Sequence, residues 1–245
     1  MASIASFHII RDHGAFTNLR RLGQDRLTLR RTDGLQFWRL MGTGRGRDTG
    51  PSVDLRRRAM FGVWDDETAL DQFLSESSVA LAWQEAAETW SVRLRLIDGH
   101  GAWAGRSILA DLHRGGPTVR SGPAPRTEPT VVPCGAICTL TRANVRVRHW
   151  PTFAAAARQT SADVAVAPGL LRVAGIGEAP VGRQATFAIW RNADAIRAFA
   201  YENPGHIDVM ARTRRDGWYG EELFARFEPY ASTGSWDGDD PLAAR

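Results

Sequence analysis

Residues 61–73 recur, without a gap, as residues 187–199: Phe61, Trp64, Ala69, Leu70 and Phe73 fall in order on Phe187, Trp190, Ala195, Ile196 and Phe199. In each copy an apolar strand runs into a tryptophan and a helix starts directly after it. Asp65, Asp66 and Glu67 supply the cap and first-turn acids of the first copy. Upstream, Gly42 and Gly44 fall on Gly175 and Gly177, with a longer loop in the first half. A chain built this way folds as two units of like design.

Around the repeat, the first half reads as a strand ending at Ile10 and a helix over 14–29 carrying Phe16, Leu19, Leu22 and Leu27 among arginines. Strands 35–41 and 58–64 follow, then a helix with Ala69, Leu70, Phe73 and Leu74 on one face, a helical piece over 79–90 and the alternating strand 92–97. The second half reads as strand 136–142, a helix from Trp150 with Pro151 in its first turn, strands 169–177 and 184–190, helices 192–201 and 204–215, and strand 222–230. Each half has the order of the ferredoxin-like β-α-β-β-α-β unit, which leaves one sheet face without helices. Two such faces can be buried against each other. The fold class is therefore α+β, two fused ferredoxin-like repeats pairing their sheets as a dimeric α/β-barrel-type fold. Its parts are an N-terminal half (1–98), a proline- and glycine-rich linker (99–133), a C-terminal half (134–230) and an irregular tail (231–245). Two independent domains on a proline-rich hinge are the competing arrangement.

The 245 residues are enough to bury a core. The net charge of +4 rests on arginines spread among 27 acids, which argues against nucleic acid as a partner. No run of about 18 apolar residues and no leader with a cleavage site is present, so a cytoplasmic protein is expected. Cys134 and Cys138 read as small buried residues, since two thiols make neither a disulfide framework nor a zinc site. The nine tryptophans either fill a large core or wall a cavity for a large apolar ligand.

His8, His13, His100, His113, His149 and His206 show no metal-cage spacing. A single histidine suffices only where a porphyrin supplies the other four nitrogens. His206 sits early on a predicted helix beside Ile207, Val209 and Met210, and reads either as such an axial ligand or as a helix-start residue facing solvent. His100, in a glycine-flanked turn, is a pocket residue or a turn residue. Arg45 and Arg47 lie in a glycine-rich loop that lacks the lysine and following helix of a phosphate cradle. Arg183 enters a strand, as a hydrogen-bond donor to a pocket or as an exposed charge. No nucleophile elbow and no dinucleotide fingerprint occurs.

Four blocks together resemble one family: residues 54–66, with Arg57, Phe61 and Trp64; His100 to Trp103; residues 175–187, with Gly175, Gly177, Arg183 and Phe187; and residues 217–227, with Trp218, Tyr219, Glu221 and Phe227. The chain resembles spheroidene monooxygenase, the carotenoid ketolase of purple bacteria, and its relatives, over about residues 34–236. The resemblance implies a haem-dependent oxygenase that places oxygen on a carotenoid carbon next to the polyene. It implies haem b held through iron by His206, Arg45 and Arg47 facing its propionates, Trp218 and Tyr219 lining the pocket, and Arg183 and His100 as catalytic candidates. The implied partners are an apolar substrate, O₂ and a separate reductase or ferredoxin as external electron donor, with membrane-surface association for substrate access and a homodimer left open. A haem-dependent dehydratase or bond-forming enzyme of natural-product biosynthesis, and a non-catalytic binding barrel, are the alternatives.

Overall fold

The computed structural model describes residues 2–49, 52–113, 135–179 and 182–243. The first half comprises β1 (Ile4–Arg11), α1 (Ala15–Leu29), β2 (Leu35–Thr43), β3 (Asp54–Trp64), α2 (Glu67–Glu76), α3 (Ser78–Leu81) and β4 (Glu88–Gly101). After α4 (Ile108–Leu112), the second half follows as β5 (Ile137–Val145), α5 (Trp150–Ala165), β6 (Leu170–Gly177), β7 (Arg183–Trp190), α6 (Ala193–Glu202), α7 (Pro204–Asp216) and β8 (Tyr219–Gly234). The strands close into one antiparallel barrel in the order β1-β3-β2-β6-β7-β5-β8-β4. Within each half the order is that of a ferredoxin-like sheet. A long β4–β8 ladder makes one seam, from Trp90 opposite Gly234 to Gly101 opposite Leu223. The other seam is short, Gly42 opposite Gly177 and Thr43 opposite Ile176.

The repeat is visible atom by atom. Asp66 caps α2 by accepting from the Ala69 amide at 3.0 Å, and Asn192 caps α6 by accepting from that of Ala195 at 2.9 Å. Gly34 and Gly169 both have positive φ, and a Cβ on either would stand 2.4 or 2.6 Å from the methyl of Ala69 or Ala195. That contact explains why both copies carry glycine against alanine. The indole of Trp64 donates to Ser6 Oγ, and that of Trp190 to Thr139 Oγ1. Strand register corrects one alignment. Leu40 pairs with Met60 as Gly175 pairs with Thr186, so Gly42 corresponds to Gly177, not to Gly175.

The helix-free faces of both halves meet in one core inside the barrel, where Phe7 stacks on Phe187 with centroids 3.8 Å apart. Both ends of that core are closed by segments expected to be irregular. Trp103, Ile108, Leu109 and Leu112 plug one end, within the stretch predicted to be linker. Trp236, against Trp90, and Leu242 close the other, within the predicted tail. Residues 114–133 of the predicted linker, and Cys134, lie outside the described residues. Trp64, Trp90, Trp103, Trp218 and Trp236 are all fully buried, so for these five core filling is the reading of the two that the structure favours.

Three element predictions also shift. The helical piece over 79–90 is only α3 and a 3-10 turn at Ala82–Glu85, and Trp90 already belongs to β4. β8 extends to Gly234. α1 forms where expected, but it buries Asn18, Asp25 and Leu29 rather than its phenylalanine and leucines at 16, 19 and 27.

Candidate functional site

The two halves treat their outer, helix-covered sheet faces differently. In the first half, His8, Leu40 and Met60 are buried beneath α1, α2 and α3, together with Trp64, Phe73 and Trp83. The His8 ring is held by Ser91 Oγ and Ser6 Oγ at 2.8 Å each, and it lies 4.8 Å from the Trp83 ring. Register carries His8, Met60 and Leu40 onto Thr141, Thr186 and Gly175 of the second half. Three large side chains are thus replaced by two threonines and a glycine. Although β5 is a central strand of its half, Thr141 is exposed, and its neighbours Thr186 and Phe224 are only half-buried. Over this floor α6 buries no residue, whereas its counterpart α2 buries Leu70 and Phe73. The second half therefore packs Val173, Ala188 and Trp190 beneath its helices, with Ile196 and Phe199 against them, and leaves a small-residue floor around Thr141 less covered than its counterpart.

The flanks of the floor are built. On the β6 side, the loop after β2 crosses Gly175, where a Cβ would sit 2.7 Å from Thr49 Cα. The loop docks on α5: the Thr49 amide donates to Ser161 Oγ at 2.8 Å and Ser161 Oγ donates to Asp48. On the β8 side, His100 is exposed with its ring 5.7 Å from that of Phe224, and Arg226 pairs with Asp98 through Nε at 2.7 Å. At the far end Tyr219 rests against Phe153 of α5, and burial pushes its hydroxyl pKa up.

The other predicted residues fall around this frame unevenly. His100 is on β4 at the β8 flank rather than in a turn. Arg45 and Arg47 are exposed on the loop at the β6 flank, with Arg45 Nε donating to the Val53 carbonyl and Arg47 Nη2 to the carbonyls of Leu170 and Leu171. Trp218 is buried, with the Arg212 guanidinium 5.4 Å from its ring. Arg183 stands apart. It shares the strand register of Ala185, Phe187 and Ile189, which face the barrel interior, so it marks the barrel's end and not the outer floor. His206 is the third residue of α7, and its side chain lies outside the described part of the structure. Counting on from the tryptophans without a gap, Ala80 of α3 is its counterpart, and Ala80 is buried in the helix-side core of the first half.

A second polar cluster closes the barrel's interior end. Arg142, almost fully buried, pairs with Glu221 and with Glu178, which also accepts from Arg39 Nε at 3.1 Å and from the Trp103 indole at 2.6 Å. Burial alone would raise the Glu221 carboxyl, but the amides of Gly105 and Ala104 and the Arg142 guanidinium outweigh it and hold the pKa below the usual range. These charges tie the plug to the strands. The sequence reading missed the floor residues Thr141, Thr186 and Phe224, and extending the repeat to every strand would have shown the first two. No cluster of three or more metal-ligating side chains exists among the described residues, and no helix there is long and apolar enough to cross a membrane.

The comparisons with known proteins agree with this architecture. Spheroidene monooxygenase of Rhodobacter capsulatus is 31% identical over 212 residues, covering 86% of this chain and 82% of that protein. This chain belongs to the spheroidene monooxygenase family. The namesake of Cereibacter sphaeroides is 28% identical over 84% of the chain, which spans 60% of that protein's length, and that of Rubrivivax gelatinosus is 30% identical over 84% of the chain and 73% of the protein. Named members are monooxygenases, oxidoreductases by class. No family model matches the chain. Among solved structures, an aldoxime dehydratase superposes with a TM-score of 0.61 at 11% identity over 98% of this chain and 86% of that one, which shows the shared fold.

Proposed function

We propose that this family member is a haem-dependent monooxygenase acting on an apolar, carotenoid-like substrate, with His206 as the iron ligand. The observation that carries the proposal is the contrast between the two halves: where the first half buries His8, Leu40 and Met60, the second leaves Thr141 exposed and Thr186 and Phe224 half-buried. The floor fits the group, because a flat macrocycle asks for a broad face of small and aromatic side chains. In support, α7 packs with α5 and α6, and gap-free counting pairs His206 with Ala80, which is buried in the first half. Bound there, haem b supplies an iron that activates O₂ with electrons from a separate reductase or ferredoxin.

The chain's own residues bind, orient and shield. The threonine hydroxyls at 141 and 186 are donors on the floor, Phe224 offers an apolar face, and the loop pinned by Ser161 closes the β6 flank against water. Arg45, already exposed on that loop, is the cation placed to meet a carboxylate at the rim. Arg183 has no such placement, and no role is proposed for it. The test is turnover of an acyclic carotenoid under O₂ with a ferredoxin and its reductase. An oxygenated carotenoid supports the proposal. Conversion of an aldoxime to a nitrile without O₂ consumption would instead place the chain with the dehydratases, of which it is known only to share the fold.

A further inference from the structure

α1 packs Leu22 and Leu29 inward but leaves three other large apolar side chains in solvent. Its buried residues include Asn18 and Asp25, whereas Phe16, Leu19 and Leu27 are 80%, 53% and 66% exposed. A surface helix ordinarily does the reverse. The rotation is pinned from below. Asn18 Nδ2 donates to the Leu55 carbonyl at 3.0 Å, and its Oδ1 accepts from Arg58 Nη1 at 3.3 Å. Arg58 is itself fully buried and paired with Asp12, and burial beside it pushes the Asp25 carboxyl pKa up. With that side fixed, helical spacing gathers Phe16, Leu19, Gly23 and Leu27 on the outer side, with Arg20 and Arg30 among them.

The charge on this face has one sign. Arg20 and Arg30 are exposed on it, and the helix's acid, Asp25, is buried. Leu55, beside the first turn through the Asn18 contact, adds a further half-exposed apolar side chain. A second copy of the chain would set these arginines against one another. A bilayer interface meets both features at once, with phosphate outside and hydrocarbon just beneath. We infer that the outer face of α1 docks on an anionic phospholipid surface, with Phe16, Leu19 and Leu27 entering the headgroup–acyl boundary and the arginines meeting lipid phosphates. This holds whatever cofactor the second half binds.

The test is co-sedimentation of the full-length protein with vesicles of phosphatidylglycerol and phosphatidylcholine, against vesicles of phosphatidylcholine alone. Wild type should partition onto the anionic vesicles and release with salt. Each interfacial arginine contributes about fivefold, so Arg20→Glu with Arg30→Glu should weaken partitioning by more than about twentyfold. Phe16→Ser with Leu27→Ser should weaken it by about tenfold or more, and both pairs should leave the melting temperature unchanged because the side chains are exposed. Absence of wild-type binding to anionic vesicles at low salt overturns the inference, as does equal binding by the variants. A dimer that Phe16→Ser with Leu27→Ser converts to monomer, without vesicle binding, would assign the face to a second copy.

Discussion

If the second half is open where the first is filled, mirrored substitutions at one repeat position must have opposite effects. Met60 is fully buried between His8 and Leu40, and Thr186 is half-buried between Thr141 and Gly175. Met60→Thr empties a packed site. Large-to-small core changes cost about 2–5 kcal/mol, and a chain of this length loses roughly 2–4 °C of melting temperature per kcal/mol, so a fall of about 4–20 °C is expected. Thr186→Met adds volume on a half-buried floor, where the usual overpacking penalty of about 1–3 kcal/mol is largely relieved toward the exposed Thr141. Partial burial of the new side chain should stabilise by about 1 kcal/mol. Thermal unfolding of the haem-free variants, followed by circular dichroism, gives the first readout, and haem titration gives the second. Thr186→Met should weaken haem uptake at least about tenfold, while Met60→Thr leaves uptake intact. Equal destabilisation by both substitutions would refute the reasoning, because it would show the two sheet–helix spaces to be equally full.

Two further outcomes follow from buried charge. Burial, reinforced by Arg93, lowers the pKa of His8 to about 3. The unfolded chain therefore binds a proton at His8 that the folded chain excludes between about pH 6.5 and 3. Stability should fall by about 1.4 kcal/mol per pH unit as pH drops through that window, and His8→Gln should flatten the slope in urea unfolding. Arg142→Met leaves Glu178 and Glu221 facing each other without their shared cation, which should cost about 3–5 kcal/mol. Adding Glu178→Gln should recover part of that loss in the same assay.

The ferredoxin-like order of each half was legible because strand, tryptophan and capped helix recur with the same spacing, and each contact of the repeat has a twin in the other half. What the sequence concealed were effects of register. Nothing in the strand pattern singles out Arg142 or Arg39, yet their side chains turn inward at the barrel's end, where carboxylates from β8 and the segment after β6 meet them. Trp103 and Trp236 sit in stretches rich in glycine and aspartate, and nothing local says that each closes a barrel end. The leucines of α1 invite a core assignment because their spacing is helical, and only the buried Asn18–Arg58 contact shows which side faces in. The floor was hidden for a similar reason: Thr141 and Thr186 are unremarkable β residues until the register sets them at the positions that His8 and Met60 hold in the first half.

The central claim is that His206 holds a haem over the small-residue floor of the second half. The direct measurement is the visible spectrum of the protein reconstituted with haem, for wild type and for His206→Ala. Wild type should show a Soret band of stoichiometric, histidine-ligated haem, which His206→Ala should lose with the fold retained by circular dichroism and regain on addition of imidazole. An unchanged Soret band in His206→Ala, or no haem uptake by wild type, would contradict the claim.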